Sequence, residues 1–138
     1  MDVSIFKLDD DNLWYKINAK FKKGGGAYKL ICRKDGDPIP VPRLLDIDNE
    51  GILYIGKADE YLLRIIDLKK AILPGYKSDN HICGRRYNKN PKISKRFPID
   101  SLYVEFYPSE KPDDKETELI QIYFNNFGEV PPLNAQNK

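Results

Sequence analysis

The run Gly51-Ile52-Leu53-Tyr54-Ile55-Gly56 constrains the fold more than any other stretch of this chain. Almost wholly apolar and closed by a glycine at each end, it is expected as a short buried strand in the centre of a sheet. Residues 58–73 follow with Leu62, Ile65, Ile66, Ile72 and Leu73 on one helical face, and Pro74-Gly75 is the expected stop. Strand and helix together place the chain in the α/β (α+β) class. Its 138 residues give room for one domain that buries a core without covalent staples. With 41% hydrophobic residues the chain carries too much apolar surface for a disordered protein.

No stretch approaches the roughly 20 consecutive apolar residues of a membrane span. Met1-Asp2-Val3-Ser4 leads into charges rather than a signal-peptide core, so the expectation is a cytoplasmic protein with no membrane partner. Cys32 and Cys83 are expected as reduced thiols, and with His81 they fall short of the four ligands of a structural zinc site.

Around this pair, other elements are legible. Leu13, Tyr15, Ile17, Ala19 and Phe21 alternate with polar neighbours over 13–22, which predicts a half-buried strand, although Leu13, Ile17 and Phe21 would also share one face of a helix. Gly24-Gly25-Gly26 ends that element, and Ala27 to Arg33 reads as a strand closed by an Asp35-Gly36 turn. Pro38, Pro40 and Pro42 exclude a central strand and predict an extended insertion or edge segment. A loop or irregular element is expected over 77–96, a strand over 102–107, and a helix capped by Asp113 or Asp114 that runs to Phe127 before Gly128. The tail Val130-Pro131-Pro132-Leu133-Asn134 is expected to be extended.

Two features depart from this pattern. In the last helix Leu119, Ile120, Tyr123, Phe124 and Phe127 form an apolar stripe, and Glu116 projects near its middle while Glu118 points away. A carboxylate on a buried face needs a partner, a hydrogen bond or a metal; in a first turn the helix dipole alone also favours it. The second feature is Arg85, Arg86, Lys89, Lys92, Lys95 and Arg96, interleaved with Tyr87 and Phe97, which suits phosphate contacts with neighbouring aromatic stacking as well as it suits a solvated loop. Although the whole chain is only +2, the stretch from Lys77 to Arg96 holds seven basic residues and one acidic one. Its charge is local.

Taken in order, these positions resemble the GIY-YIG nuclease superfamily. Gly26-Ala27-Tyr28 looks like the family's first motif, and Tyr54-Ile55-Gly56-Lys57-Ala58 looks like its second. Arg64 stands where the helix arginine is expected, Glu116-Thr117-Glu118-Leu119-Ile120 is similar to the Glu-x-x-Leu-Ile form, and Gly128 to Asn134 resembles the closing segment. The match spans residues 26–134, with 1–25 as an N-terminal extension packed on a nuclease domain of residues 26–138. Departures are Ala27 for isoleucine, an insertion over Lys34–Glu50, and Leu68 where many members carry His or Tyr, a place His81 could take from the loop.

The resemblance implies a small mixed or antiparallel sheet flanked by helices and the hydrolysis of DNA phosphodiesters with one Mg²⁺ or Mn²⁺ held by Glu116. Tyr28 would be the general base, Tyr54 would position water or phosphate, Arg64 would neutralise the phosphate, and Lys57 or His81 would assist. Gly56 and Asn134 would be structural. Arg85, Arg86, Lys89, Lys92, Lys95 and Arg96 would contact DNA, in a monomer or homodimer. A fold retained as a non-catalytic DNA-binding module is the alternative; a protein-interaction domain whose basic loop meets an acidic partner is a third.

Overall fold

Alternation along residues 26–34 sends Tyr28, Leu30 and Cys32 to one side of a strand and Ala27 and Ile31 to the other, and both sides are apolar. Such a strand must be covered on two faces. The computed structural model, which describes residues 4–73 and 81–134, makes it the sheet's organising strand, β2 (Gly26–Lys34). The chain before it forms β1 (Ser4–Lys7) and α1 (Leu13–Phe21). After it come three two-residue strands, β3 (Asp37–Pro38), β4 (Val41–Pro42) and β5 (Ile47–Asp48), then β6 (Ile52–Ala58) and α2 (Tyr61–Ile72). Next are α3 (Ile82–Lys89), α4 (Pro91–Arg96), a 3₁₀ turn (Ile99–Ser101), β7 (Leu102–Pro108) and α5 (Pro112–Phe127).

All strand pairings are antiparallel. β2 lies between β7 and β6, β1 extends the sheet beyond β7, and β3 pairs with the far end of β2. One face carries Tyr28, Leu30 and Cys32 into a core with Leu13 and Ile17 of α1, Tyr61, Ile65 and Leu68 of α2, and Cys83 and Tyr87 of α3. The opposite face packs Ala27, Ile31 and Ile55 against Leu119 and Tyr123 of α5. The protein is therefore α+β, an antiparallel sheet with helices on both faces. Among the described residues no helix is long and apolar enough to cross a membrane.

Several local expectations are corrected. Residues 13–21 form a helix rather than a strand, because Leu13 and Ile17, one turn apart, are both fully buried against the sheet while Tyr15 is 76% exposed. Within the expected loop, residues 82–89 and 91–96 are helical. His81 and Asn90 cap these two helices by accepting from the backbone N–H of Cys83 and Lys92. Pro74-Gly75, Lys77 and Asp79 lie outside the described residues.

β6 is not central. It pairs with β2 on one side only, and its other edge meets the C-terminal segment, where Leu133 N–H donates to Leu53 C=O. That segment turns at Pro131–Asn134 instead of running extended, with Asn134 N–H bonded to Pro131 C=O. α5 begins at Pro112, so Asp113 and Asp114 occupy its first turn rather than its cap. Phe124 leaves the buried stripe and is 46% exposed. α2 begins at Tyr61, with Ala58 the last residue of β6.

Candidate active site

In the antiparallel register of β2 and β6, Tyr28 stands directly opposite Gly56. A Cβ at Gly56 would lie 2.7 Å from Tyr28 Cζ and Oη and 2.6 Å from Tyr54 Cε2, so two tyrosine rings close over a position that only glycine can fill. The ring centroids of Tyr28 and Tyr54 are 6.1 Å apart. His81 completes an aromatic triangle, 6.5 Å from the Tyr28 ring and 5.5 Å from the Tyr54 ring. It is brought there by α3, which crosses α2 at a point where Gly84 meets Ala71 so closely that a Cβ on Gly84 would collide with that alanine.

His81 has no exposed surface, and its two ring nitrogens do different work. Nδ1 accepts from Cys83 N–H at 3.1 Å, capping α3, and Nε2 lies 2.7 Å from the Tyr28 hydroxyl. A neutral imidazole with Nδ1 as acceptor must carry its proton on Nε2, and this assignment makes His81 the donor to Tyr28 Oη. Burial, and then the nearby Arg64 charge, push the His81 pKa down to about 3, so the ring is neutral around pH 7. Tyr28 therefore receives a hydrogen bond that would favour its phenolate, and its own O–H is left to point elsewhere.

Burial opposes that phenolate. It raises the Tyr28 pKa well above the ordinary value, helped by Tyr54 and Cys83, while the Arg64 guanidinium, within reach of the Tyr28 hydroxyl, pulls the other way. Tyr54 is pushed up to about 12, again mainly by burial with Arg64 opposing. Arg64 is thus the cation common to Tyr28, Tyr54 and His81, tethered only loosely by Asp67 at 3.7 Å.

At the rim of β6, Lys57 pairs with Asp113 in the first turn of α5, and that bond raises the Lys57 pKa. Glu116, one turn further along α5, is half-buried. Desolvation raises its pKa, Lys57 counteracts the effect, and its charge also reaches Tyr54. Among the described residues no hydrogen bond or ion pair occupies the Glu116 carboxylate. Such a carboxylate, partly stripped of water and with open oxygens, fits a hard divalent cation that keeps waters and takes phosphate oxygens as further ligands. Among the described residues no three His, Cys, Asp or Glu side chains gather into a cage.

Asn134 joins the site from the C-terminal segment. Its Oδ1 accepts from Ile55 N–H and its Nδ2 donates to Ile55 C=O, both at 2.9 Å, so one side chain satisfies the free edge of β6 between Tyr54 and Gly56. Leu68 is fully buried in the core that also holds Tyr28 and Tyr54, whereas it is the His81 ring that reaches the Tyr28 hydroxyl. The basic residues divide. Arg86 turns inward and donates to Leu133 C=O at 2.9 Å, while Arg85, Lys89, Lys92, Lys95 and Arg96 are exposed along α3 and α4. Tyr87 and Phe97, read as stacking aromatics, are core residues instead, 1% and 6% exposed, with the Tyr87 hydroxyl bonded to Phe97 C=O. Sequence reasoning missed the Lys57–Asp113 pair and the Cys83 N–H that orients His81, contacts that become visible only once α3 and α5 are placed. No protein-family model, curated protein or solved structure matches the chain.

Proposed function

We propose that the protein is a divalent-metal-dependent endonuclease of GIY-YIG type that hydrolyses DNA phosphodiester bonds. The convergence of Tyr28, Tyr54, His81 and Arg64 on one face of β2–β6, with Glu116 and Lys57 at its rim, carries this reading. Hydrolysis bonds a water oxygen to phosphorus, expels a sugar oxygen and moves one proton off the water. Tyr28 takes that proton as the phenolate left when its own hydroxyl proton has passed to solvent; His81 Nε2–H steadies the phenolate oxygen before the transfer, and the expelled sugar oxygen is protonated from solvent. Arg64 offsets the charge that develops on the phosphate, and Tyr54 aligns the water. Glu116 would hold Mg²⁺ or Mn²⁺, which supplies Lewis-acid neutralisation of a phosphate oxygen when bound.

Supercoiled plasmid with Mg²⁺ is the direct test. Cutting by the wild type is expected to fall at least ~100-fold in Glu116→Ala, Arg64→Ala and Tyr28→Phe, with circular dichroism unchanged. Because Tyr28 is held above the usual phenol range, the rate is expected to keep climbing with pH into the alkaline region. Undiminished cutting in these variants would overturn the reading. Salt-sensitive DNA binding with no turnover in any divalent metal would favour a non-catalytic binding module, in keeping with the buried Leu68.

A further inference from the structure

Beyond the far end of β2 from Tyr28, the ends of β1, β2, α4 and β7 enclose a cavity of about 590 Å³. Lys7, Arg33, Lys34, Lys95 and Arg96 line it, against only Asp35 and Asp100. Four of these cations are held in no ion pair among the described residues; Lys7 alone has one, to Asp9 at 3.8 Å. Arg33 Nε is buried and meets no acceptor. Like charges gathered around a concave, polar-walled space repel one another unless an anion shares it, and low-dielectric walls focus their field on that space. An apolar ligand has little to recognise here.

We propose that this pocket is a phosphate-binding site that grips the nucleic-acid backbone away from the cleavage centre, an assignment that rests on the nuclease reading for its choice of polyanion. Lys34, on the same side of β2 as Tyr28, is six residues from it, roughly 20 Å at about 3.4 Å per residue. On a duplex strand that advances about 3.4 Å per phosphate along its axis, the pocket would take a phosphate about six nucleotides from the one being cut. Arg85, Lys89 and Lys92, exposed along α3 and α4, follow His81 and precede Lys95 in the chain and supply further charge.

The full-length protein, ¹⁵N-labelled, would be titrated with a short DNA duplex and separately with inorganic phosphate, and duplex affinity would be followed across a salt series. The duplex is expected to shift the amides of Arg33, Lys34 and Arg96. Lys95→Gln/Arg96→Gln should bind about 10-fold more weakly at low salt, with a log–log salt slope shallower by about 2, roughly 0.9 per lost phosphate contact. Lys20→Gln/Lys23→Gln, which removes the same charge from exposed positions elsewhere, should bind like the wild type. Inorganic phosphate alone saturating the same amides, with the duplex leaving them unmoved, would overturn the nucleic-acid assignment. No shift with either probe would overturn the site. A wild type that binds through these amides yet never cuts DNA would remove the nuclease reading and keep the pocket. Normal cutting with unchanged Lys95→Gln/Arg96→Gln binding would do the reverse.

Discussion

At the scale of single residues, the most consequential group is His81. It is fully buried, caps α3 through Nδ1 and presents Nε2 to Tyr28, so protonation of Nδ1 would break the cap and place a charge beside Arg64. The sign of its effect on stability follows from its pKa, about 3 in the fold against 6.5 for a free imidazole. As pH falls below 6.5 the unfolded chain takes up this proton first. Stability is therefore complete above pH 6.5 and declines by about 1.4 kcal/mol per unit towards pH 3 from this group. His81→Asn keeps a capping acceptor and removes the titration. Urea unfolding between pH 7 and 4 should show a shallower loss in His81→Asn than in the wild type, and equal slopes would refute the account. Gly56 shows the complementary constraint, since its value to the site is the absence of a side chain between two rings.

The elements explain how an edge strand can bear a site. β6 has an almost wholly apolar sequence because α2 and α3 cover one face and α5 the other, although a neighbouring strand covers only one edge. The remaining edge would be open to pairing with another chain, and Leu133 and Asn134 occupy it. Asn134→Ala deletes both bonds to Ile55 and should cost about 1–3 kcal/mol. Hydrogen exchange offers the sharper reading. The Ile55 amide should lose protection out of proportion to the global loss of stability, while an even loss across the sheet would mean that Asn134 does not brace β6. α3 illustrates why helix placement resists reading: only Cys83, Gly84 and Tyr87 of its residues are buried, too few to print a periodic stripe on its basic sequence.

For the whole molecule, residues 4–25 contribute to the core. Leu8, Leu13 and Ile17 are fully buried, and β1 pairs along β7. At ~1.5–3 kcal/mol for each buried aliphatic side chain, their loss would remove roughly 5–9 kcal/mol, comparable to the ~5–15 kcal/mol that stabilises a typical domain. A chain beginning at Gly26 is accordingly expected to show no cooperative thermal transition by circular dichroism. A sharp transition near that of the full chain would mean that β1 and α1 are dispensable. Charge also acts at this scale, since a nearly neutral total conceals an exposed basic stretch on α3 and α4 that runs, through Lys95 and Arg96, into a basic cavity beside β2.

The strands at 26–34, 52–58 and 102–108 and the helices at 61–72 and 112–127 were legible because each carries its own local apolar pattern, a bounded apolar run in the strands and a helical stripe in the helices. Glu116 stands out from its place on the apolar face of the last helix, whereas Tyr28, Tyr54 and Arg64 stand out through the motif resemblance rather than through any apolar period. Residues 13–21 could not be settled locally, because Leu13, Ile17 and Phe21 satisfy both a strand and a helix until the sheet surface chooses the helix. Neither could the partners of His81, which depend on α3 docking on α2. By itself the sequence determined the period of each strongly patterned element and the kinds of chemical group it carries, since both follow from local order. Tertiary structure decided which strand is the edge, which tautomer His81 holds and which cations gather into a pocket, because those depend on contacts between residues far apart in the chain.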